Sequence, residues 1–395
     1  MSISRPLDGI KVLALEHAIA GPLCTRQLAD LGARVIKVER RDTGDFARAY
    51  DDRVKGQCSH FIWTNRSKES LTLNIKSTQG SKVLEKLLAD TDILVQNLAP
   101  GATAKIDLTY EKLRDKFDRL IVCDISGYGA KGPYRHKKAY DLLIQSEAGF
   151  LSVTGTSQEM AKSGISIADI AAGTQAHSAI LAALLQRNKT GSGSHIEISL
   201  LEAMVEWMGF PLYYAFDGAL PPQRSGADHA SIYPYGAFPT IDGKTIMLGL
   251  QNEREWASFS RDVLEQEELQ QDPRFSTNAA RSTNRKLLRS VITDVFSSLS
   301  QEQVCHRLDR AKIAYADVND MDAVWNHPQL KALNRLVEID TPSGSVPAFL
   351  PPGNNSSFSH RMDAVPGLGQ HTEKILLELG YTDREIHQLK VDEVV

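Results

Sequence analysis

Residues 10–39, IKVLALEHAIAGPLCTRQLADLGARVIKVE, decide the fold. IKVLAL (10–15) and ARVIKVE (33–39) are nearly continuous apolar runs, which suits strands of a parallel sheet covered on both faces. Between them EHAIAGP (16–22) reads as a turn and LCTRQLADLG (23–32) as a helix closed by Gly32. Together they make a βαβ unit. Such a unit invites comparison with a dinucleotide site, and Glu39 ends the second strand where a ribose-binding acid would stand. The turn argues against it: Gly21 is its only glycine and Pro22 follows, so the G-x-G-x-x-G cradle for a pyrophosphate does not form.

The alternation continues outward. LTLNI (71–75) reads as a strand, SKVLEKLLADT (81–91) as an amphipathic helix, and DILVQNL (92–98) as a buried strand ending at Asn97. LIVCDISGYG (120–129) and SHIEISLLEAM (194–204) repeat the pattern. From about 210 the texture changes to a Pro-, Gly- and aromatic-rich stretch without a period, which reads as a linker. A hairpin over 235–250 turning at Asp242-Gly243, then helices over 253–264, 284–299 and 301–312, make a smaller α+β unit. The resulting fold class is α/β, divided as a large domain over 1–210, a linker over 211–229, a small α+β domain over 230–325, and a C-terminal section over 326–395.

With 395 residues, 42% of them hydrophobic, the chain can bury more than one core. Its 45 basic and 49 acidic residues are dispersed, without the basic clustering of a nucleic-acid binder, so no nucleic-acid partner is expected. No apolar run approaches the roughly 18–20 residues of a membrane span, and the start MSISRPLDGI has no hydrophobic signal region; no membrane partner and a cytoplasmic location are the expectations. Cys24, Cys58, Cys123 and Cys305 form no CxxC pair, and Cys305-His306 are adjacent and so a poor chelate; they read as reduced thiols, with no metal site.

Asp169 is the leading catalytic candidate. It opens SGISIADIAAGTQAHSAILAALLQR (163–187), whose helix carries no further charge until Arg187 and offers a slim surface at Ala172, Gly173, Ala176, Ala179 and Ala183. An acid at the start of a buried helix accepts the first free N–H groups and lies at the positive end of the dipole, which favours its ionised form. An ordinary N-cap is the competing reading. Arg40 and Arg41 follow the second strand, at the sheet edge where α/β ligands bind, and suit a phosphate; a solvated surface pair is the alternative. Lys137, Lys138, Tyr140 and Asp141 precede another helix as a second anion contact or a solvated loop.

The blocks LEHAIAGPLCTRQLADLGARVIKVERRDTGDFAR, QNLAPG, SGYGAKGPY, AYDLLIQSEAGFLSVTG, SGISIADIAAG, RNKTGSGSHIEISLLEA, YPYGAFPTIDG, DPRF and GLGQHTEKILLELGY occur in an order that resembles the class III coenzyme A transferases, the family of formyl-CoA and carnitine CoA transferases. The resemblance spans about 370 residues. It implies a Rossmann-like large domain completed by the C-terminal section, a smaller domain on long linkers, and two protomers interlocked as a homodimer. It also implies that Asp169 is the nucleophile: it attacks a donor thioester and releases CoA thiolate, leaving an aspartyl anhydride that the thiolate converts to an aspartyl-CoA thioester. An acceptor carboxylate reverses the steps. Acyl-CoA is then a co-substrate, and neither metal nor dinucleotide is required.

By position the resemblance implies CoA contacts at Ile19, Ala20, Arg40, Leu73, Asn74, Ile75, Lys76, Asn97, Leu98, Ala99, Lys105, Lys138, Ala139 and Tyr140. Lys105 stands where Arg is common, keeping the charge without the bidentate fork. Leu98 and Ala99 replace an aromatic and an Arg, and Ile19 replaces a Gln of the formyl-CoA enzymes, which argues against formyl or oxalyl specificity. Related racemases place a His before the acid matching Asp141; here it is Tyr140, whose ordinary pKa near 10 suits a proton shuttle poorly. His17, Tyr140 and Asp141 are substrate-side candidates, while His177 reads as packed. The resemblance further implies succinyl-CoA as donor and small dicarboxylates such as succinate, itaconate, mesaconate, malate or glutarate as acids, with His17, Arg53, Arg66 or Arg224 available for a second carboxylate. An acyl-CoA isomerase and a non-catalytic CoA-binding protein are the competing functions.

Overall fold

The computed structural model describes residues 5–395 and divides into two compact units. The first contains 5–148, Ser163–Gly209 and Leu330–Val395. Its six-stranded sheet is formed by β1 (Lys11–Leu15), β2 (Arg34–Glu39), β3 (Lys68–Thr72), β4 (Ile93–Gln96), β5 (Ile121–Ser126) and β6 (His195–Ser199). The spatial order is β3-β2-β1-β4-β5-β6, every pairing is parallel, and the order reverses between β1 and β4. Such a reversal leaves a crevice at the carboxyl ends of the strands, because the following connections leave in opposite directions. Val12, Leu13, Leu94, Val95 and Val122 are almost fully buried, as the unbroken apolar runs require.

Helices α1 (Ala20–Asp30), α2 (Ser59–Asn65), α3 (Thr78–Leu88), α4 (Asp141–Glu147), α5 (Ile167–Thr190) and α6 (Leu200–Trp207) complete the part that positions the site. Gly173 lets α5 lie directly on α1: an added Cβ there would stand 2.7 Å from the Ala20 carbonyl oxygen. The expectation that no segment approaches membrane length needs correction, because α5 has 24 residues and is apolar enough by length and composition to span one. It packs on α1, β5, β6 and α6, and its small residues face that packing.

The C-terminal section closes the open edge of the sheet. The Thr72 N–H and hydroxyl both meet the Thr372 hydroxyl at 3.1 Å, the Ser70 N–H donates to His371 Nδ1 at 3.1 Å, and the Asn74 N–H donates to the Val394 carbonyl at 2.7 Å. Ile375, Leu376, Ile386 and Leu389 join the core of Leu13, Leu71, Val83 and Val122 on the same face.

The second unit contains Gly149–Lys162 and Phe210–Gln329. Residues 149–162, kept in the large domain by the sequence reading, group here instead. Strands β7 (Tyr235–Pro239), β8 (Thr245–Gly249) and β9 (Ala314–Asp317) form an antiparallel sheet, with the hairpin turning over Asp242-Gly243. Phe238, Trp256, Phe259, Leu288 and Phe296 fill its core. The stretch read as linker holds a short helix, Gly209–Tyr214, and one 3-10 turn before extended chain.

Candidate active site

Every residue proposed for CoA contact lies in a segment that follows the carboxyl end of a strand of the first unit. Ile19 and Ala20 follow β1, Arg40 follows β2, Leu73 to Lys76 follow β3, Asn97 to Ala99 and Lys105 follow β4, and Lys138 to Tyr140 follow β5. The turns after β1 and β4 flank the reversal and are stitched together: Asn97 accepts the His17 N–H at 2.8 Å and donates to the His17 carbonyl at 2.9 Å. The Asn97 side chain is therefore committed to holding the loops. Ile19 and Leu73 are buried and Leu98 is partly buried; the Leu73 N–H donates to the Glu39 carbonyl at 2.9 Å and the Leu98 N–H to Gln96 Oε1 at 2.8 Å.

Asp169 is the third residue of α5, and its carboxylate accepts no hydrogen bond among the described residues. The capping expectation is corrected here. The start of α5 is capped by Asp141, whose Oδ1 accepts the N–H groups of Ala168 at 2.7 Å and Asp169 at 3.2 Å, while Oδ2 accepts from Gln145 Nε2 at 2.6 Å. Gln145 is itself buried and takes the Ser163 N–H through its Oε1 at 2.9 Å. The expected preference for the ionised form is also corrected: burial, and then the neighbouring charge of Asp141, push the Asp169 carboxyl up to about 7. A half-buried, unbonded carboxylate of raised basicity is suited to attack an electrophile.

Beneath the turns lies a buried ionic floor. Lys37 Nζ contacts Asp45 Oδ2 at 2.9 Å and Glu16 Oε1 at 3.4 Å; Lys68 Nζ contacts Glu16 Oε1 at 2.7 Å and the Pro22 carbonyl at 2.9 Å. Glu39 accepts from Arg48 at 2.7 Å, from the Ser70 hydroxyl at 2.7 Å and from the Asp45 N–H at 3.0 Å. Burial works to raise the Glu16 carboxyl, but Lys68 and Lys37 hold it below the usual carboxylate range. Glu39, the position of a ribose acid in dinucleotide sites, is spent on this floor and is buried.

Four of the cations expected at the CoA site, Arg40, Lys76, Lys105 and Lys138, are exposed and have no ion pair among the described residues, whereas Arg41 pairs with Asp42 and Glu393, and Lys137 pairs with Glu147. Asn74 and Ala99 are exposed as well, Ile75 and Ala139 are half-buried, and Tyr140 is 69% exposed at the N-cap of α4. His17 stacks on Phe46, and its buried Nδ1 has no hydrogen-bond partner among the described residues, Asp45 Oδ1 lying 3.9 Å away. Burial first, with Lys37 and Arg40 adding to it, lowers its pKa against the pull of Asp45. His177 is pushed down to about 4 by burial, consistent with a packed ring.

Two of the cations expected for a second carboxylate, Arg66 and Arg224, are otherwise engaged, and Arg53 is not. Arg66 is buried in a two-point pair with Asp30 at 2.9 and 2.7 Å. Arg224 belongs to the second unit and donates to the Thr156 carbonyl at 2.8 Å. Arg53 is exposed; its N–H donates to Asp51 Oδ1 at 3.1 Å, and its guanidinium makes no ion pair among the described residues. Sequence reasoning missed Tyr50, whose hydroxyl is pushed up to about 12 by burial and then by Asp45 and Asp169. It also missed Asp51, Cys58 and His60, three ligand-type atoms within 4.8 Å of one another, for which the signal was the spacing Cys58-x-His60. Their hydrogen bonds account for the cluster: Asp51 accepts from the Ser59 N–H at 2.9 Å and hydroxyl at 2.7 Å, and caps α2. All four cysteines are free thiols.

Residues 7–372 match the family described as CoA-transferase family III. Human succinyl-CoA:glutarate CoA-transferase is 33% identical over 394 residues, covering 98% of this chain and 90% of the relative. The succinate–glutarate CoA-transferase of Agrobacterium fabrum is 31% identical over 390 residues, 96% of this chain and 97% of the relative. Among solved structures, a CAIB/BAIF family protein from Brucella suis superposes with a TM-score of 0.85 at 32% identity, covering 95% of this chain and all of that one. With the parallel sheet, the free acid on α5 and these likenesses together, the chain belongs to CoA-transferase family III.

Proposed function

We propose that the protein moves CoA from an acyl-CoA donor, succinyl-CoA, to a C4–C5 dicarboxylate. The observation that carries this reading is Asp169: a carboxylate accepting no hydrogen bond among the described residues, half-buried in the first turn of α5, with its basicity raised. In the deprotonated form it adds to the thioester carbonyl, expels CoA thiolate and forms a mixed anhydride. The thiolate then attacks the aspartyl carbonyl, releasing the donor acid and leaving aspartyl-CoA. An incoming carboxylate attacks that thioester, expelling the thiolate and forming a second mixed anhydride; the thiolate then attacks the acceptor's acyl carbon, giving the new acyl-CoA and freeing the Asp169 carboxylate. Arg40, Lys76, Lys105 and Lys138 offer charge for the CoA phosphates, and the backbone at 19–20, 73–76 and 97–99 offers the walls.

The names of the two glutarate-using relatives favour a diacid. A proton-moving racemase is less well supported: Asp141 is occupied as a helix cap and Tyr140 replaces the shuttling imidazole. A homodimer is supported by the apolar side chains that the first unit leaves exposed on or beside α4 to α6, among them Leu142, Leu143, Ile165, Leu185, Val205 and Trp207.

The test is incubation with succinyl-CoA and a panel of mono- and dicarboxylic acids, reading new acyl-CoA species by mass spectrometry. Asp169→Ala is expected to abolish exchange while leaving CoA affinity within a few-fold. Full exchange by that variant would sink the mechanism.

A further inference from the structure

Four rings from three segments form a row that begins beside Asp45 of the ionic cluster. His17 stacks on Phe46 with centroids 5.2 Å apart, Phe46 tilts against Tyr50 at 5.8 Å, and Tyr50 meets His60 edge-on at 5.6 Å. Tyr50 is where the row approaches the chemistry, since its hydroxyl lies within electrostatic reach of Asp169. Its raised pKa keeps the proton on, so the hydroxyl is available as a donor.

The two imidazoles at the ends of the row each face a carboxylate but differ in exposure, the His17 side chain being 16% exposed and that of His60 43%. His17 Nδ1 lies 3.9 Å from Asp45 Oδ1, but burial of the ring, with Lys37 and Arg40 beside it, outweighs that acid. His60 faces an acid: its Nδ1 lies 3.4 Å from Asp51 Oδ2. Asp51 is fixed by the N–H groups of Ser59 and Arg53 and by the Ser59 hydroxyl, which hold its carboxyl well below the usual range. The His60 side chain is 43% exposed, and its Nε2 has no partner among the described residues. With Nδ1 turned to Asp51 and the Ser59 hydroxyl, Nε2 is the ring nitrogen left to donate to an anion. A C4–C5 diacid carries its second carboxylate only a few bonds beyond the one that reacts, and Tyr50 and His60 supply two donors from adjoining rings.

We propose that His60, together with the Tyr50 hydroxyl, receives the non-reacting carboxylate of the diacid and so sets the preference for dicarboxylic over monocarboxylic substrates. The proposal rests on the transferase reading above and deepens it.

The test compares succinyl-CoA with butyryl-CoA as donors and glutarate with pentanoate as acceptors, in the wild type, His60→Gln and Tyr50→Phe, with folding checked by circular dichroism. Losing a hydrogen bond to a charged group is expected to lower kcat/KM by about 10- to 100-fold for each substrate with a second carboxylate, and by far less for its monoacid counterpart. Tyr50→Phe, which keeps the ring and removes only the donor, is expected to show the same selectivity in smaller degree. Equal losses on diacids and monoacids would overturn the proposal and make His60 a support of the loop, and unchanged kinetics in both variants would overturn it too. A wild type that exchanges CoA among monoacids alone would overturn it while leaving the transferase reading intact. Exchange with no pair at all would remove that reading and this inference with it.

Discussion

Asp169 and Asp141 divide between them two roles that a single acid was expected to combine. The block SGISIAD and the uncharged helix behind it make Asp169 legible in the sequence. The cap is not legible, because Asp141 stands 28 residues earlier and meets the start of α5 only through the packing of α4 on it. Leaving Asp169 unbonded has a functional consequence, since every hydrogen bond to its charged form would lower its basicity. With the carboxyl at about 7 and the anion as the reactive form, the rate of aspartyl acylation is expected to rise with pH through about 7 and to level off above it. Stopped-flow measurement of the first half-reaction across pH 5.5–8.5 (about that range) checks this. Asp141→Asn keeps a carbonyl oxygen for the cap and removes the like charge. Its expected effect is an inflection moved to lower pH but not to the ordinary carboxylate range, because burial is the larger cause of the shift. An unmoved inflection would show that Asp141 acts on Asp169 only through position.

Among the elements, those with continuous apolar runs were legible to within a few residues, and β1, β2, β4 and β5 are examples. The third strand was not: LTLNI suggested 71–75, whereas the strand is Lys68–Thr72. Lys68 and Ser70 disguise it, being polar yet fully buried, the first against Glu16 and the second against Glu39. A reading of local hydrophobicity has no access to partners supplied by other strands. The short strand Ala314–Asp317 escaped for another reason, since four residues carry too little period to register. The same ionic floor makes a prediction for stability. Lys37→Met leaves Glu16 and Asp45 buried with a missing cation, so urea denaturation is expected to show a loss of about 3–5 kcal/mol. A loss below about 1 kcal/mol would mean that water or rearrangement compensates the two acids.

For the whole molecule, composition and texture were enough to suggest two cores and a change of architecture near 210. The assignment of Gly149–Lys162 to the second unit was out of reach, because that segment joins the later one through pairings such as the Gly226 N–H with the Gly155 carbonyl at 2.7 Å. The apolar side chains exposed beside α5 and α6 lead to an expected mass twice the 43.6 kDa of the chain in sedimentation velocity at micromolar concentration. A single species at the chain mass would refute the homodimer. The latch formed on β3 by Thr372, His371 and Val394 carries a consequence for biosynthesis. At ~5–20 residues per second, roughly 15–60 s separate the emergence of that strand from the ribosome and the arrival of the segment that covers it. Throughout that interval the nascent sheet presents an open edge, the kind of template on which neighbouring chains aggregate. Yield of soluble protein should therefore depend on chaperone supply and translation speed even when the finished fold is stable.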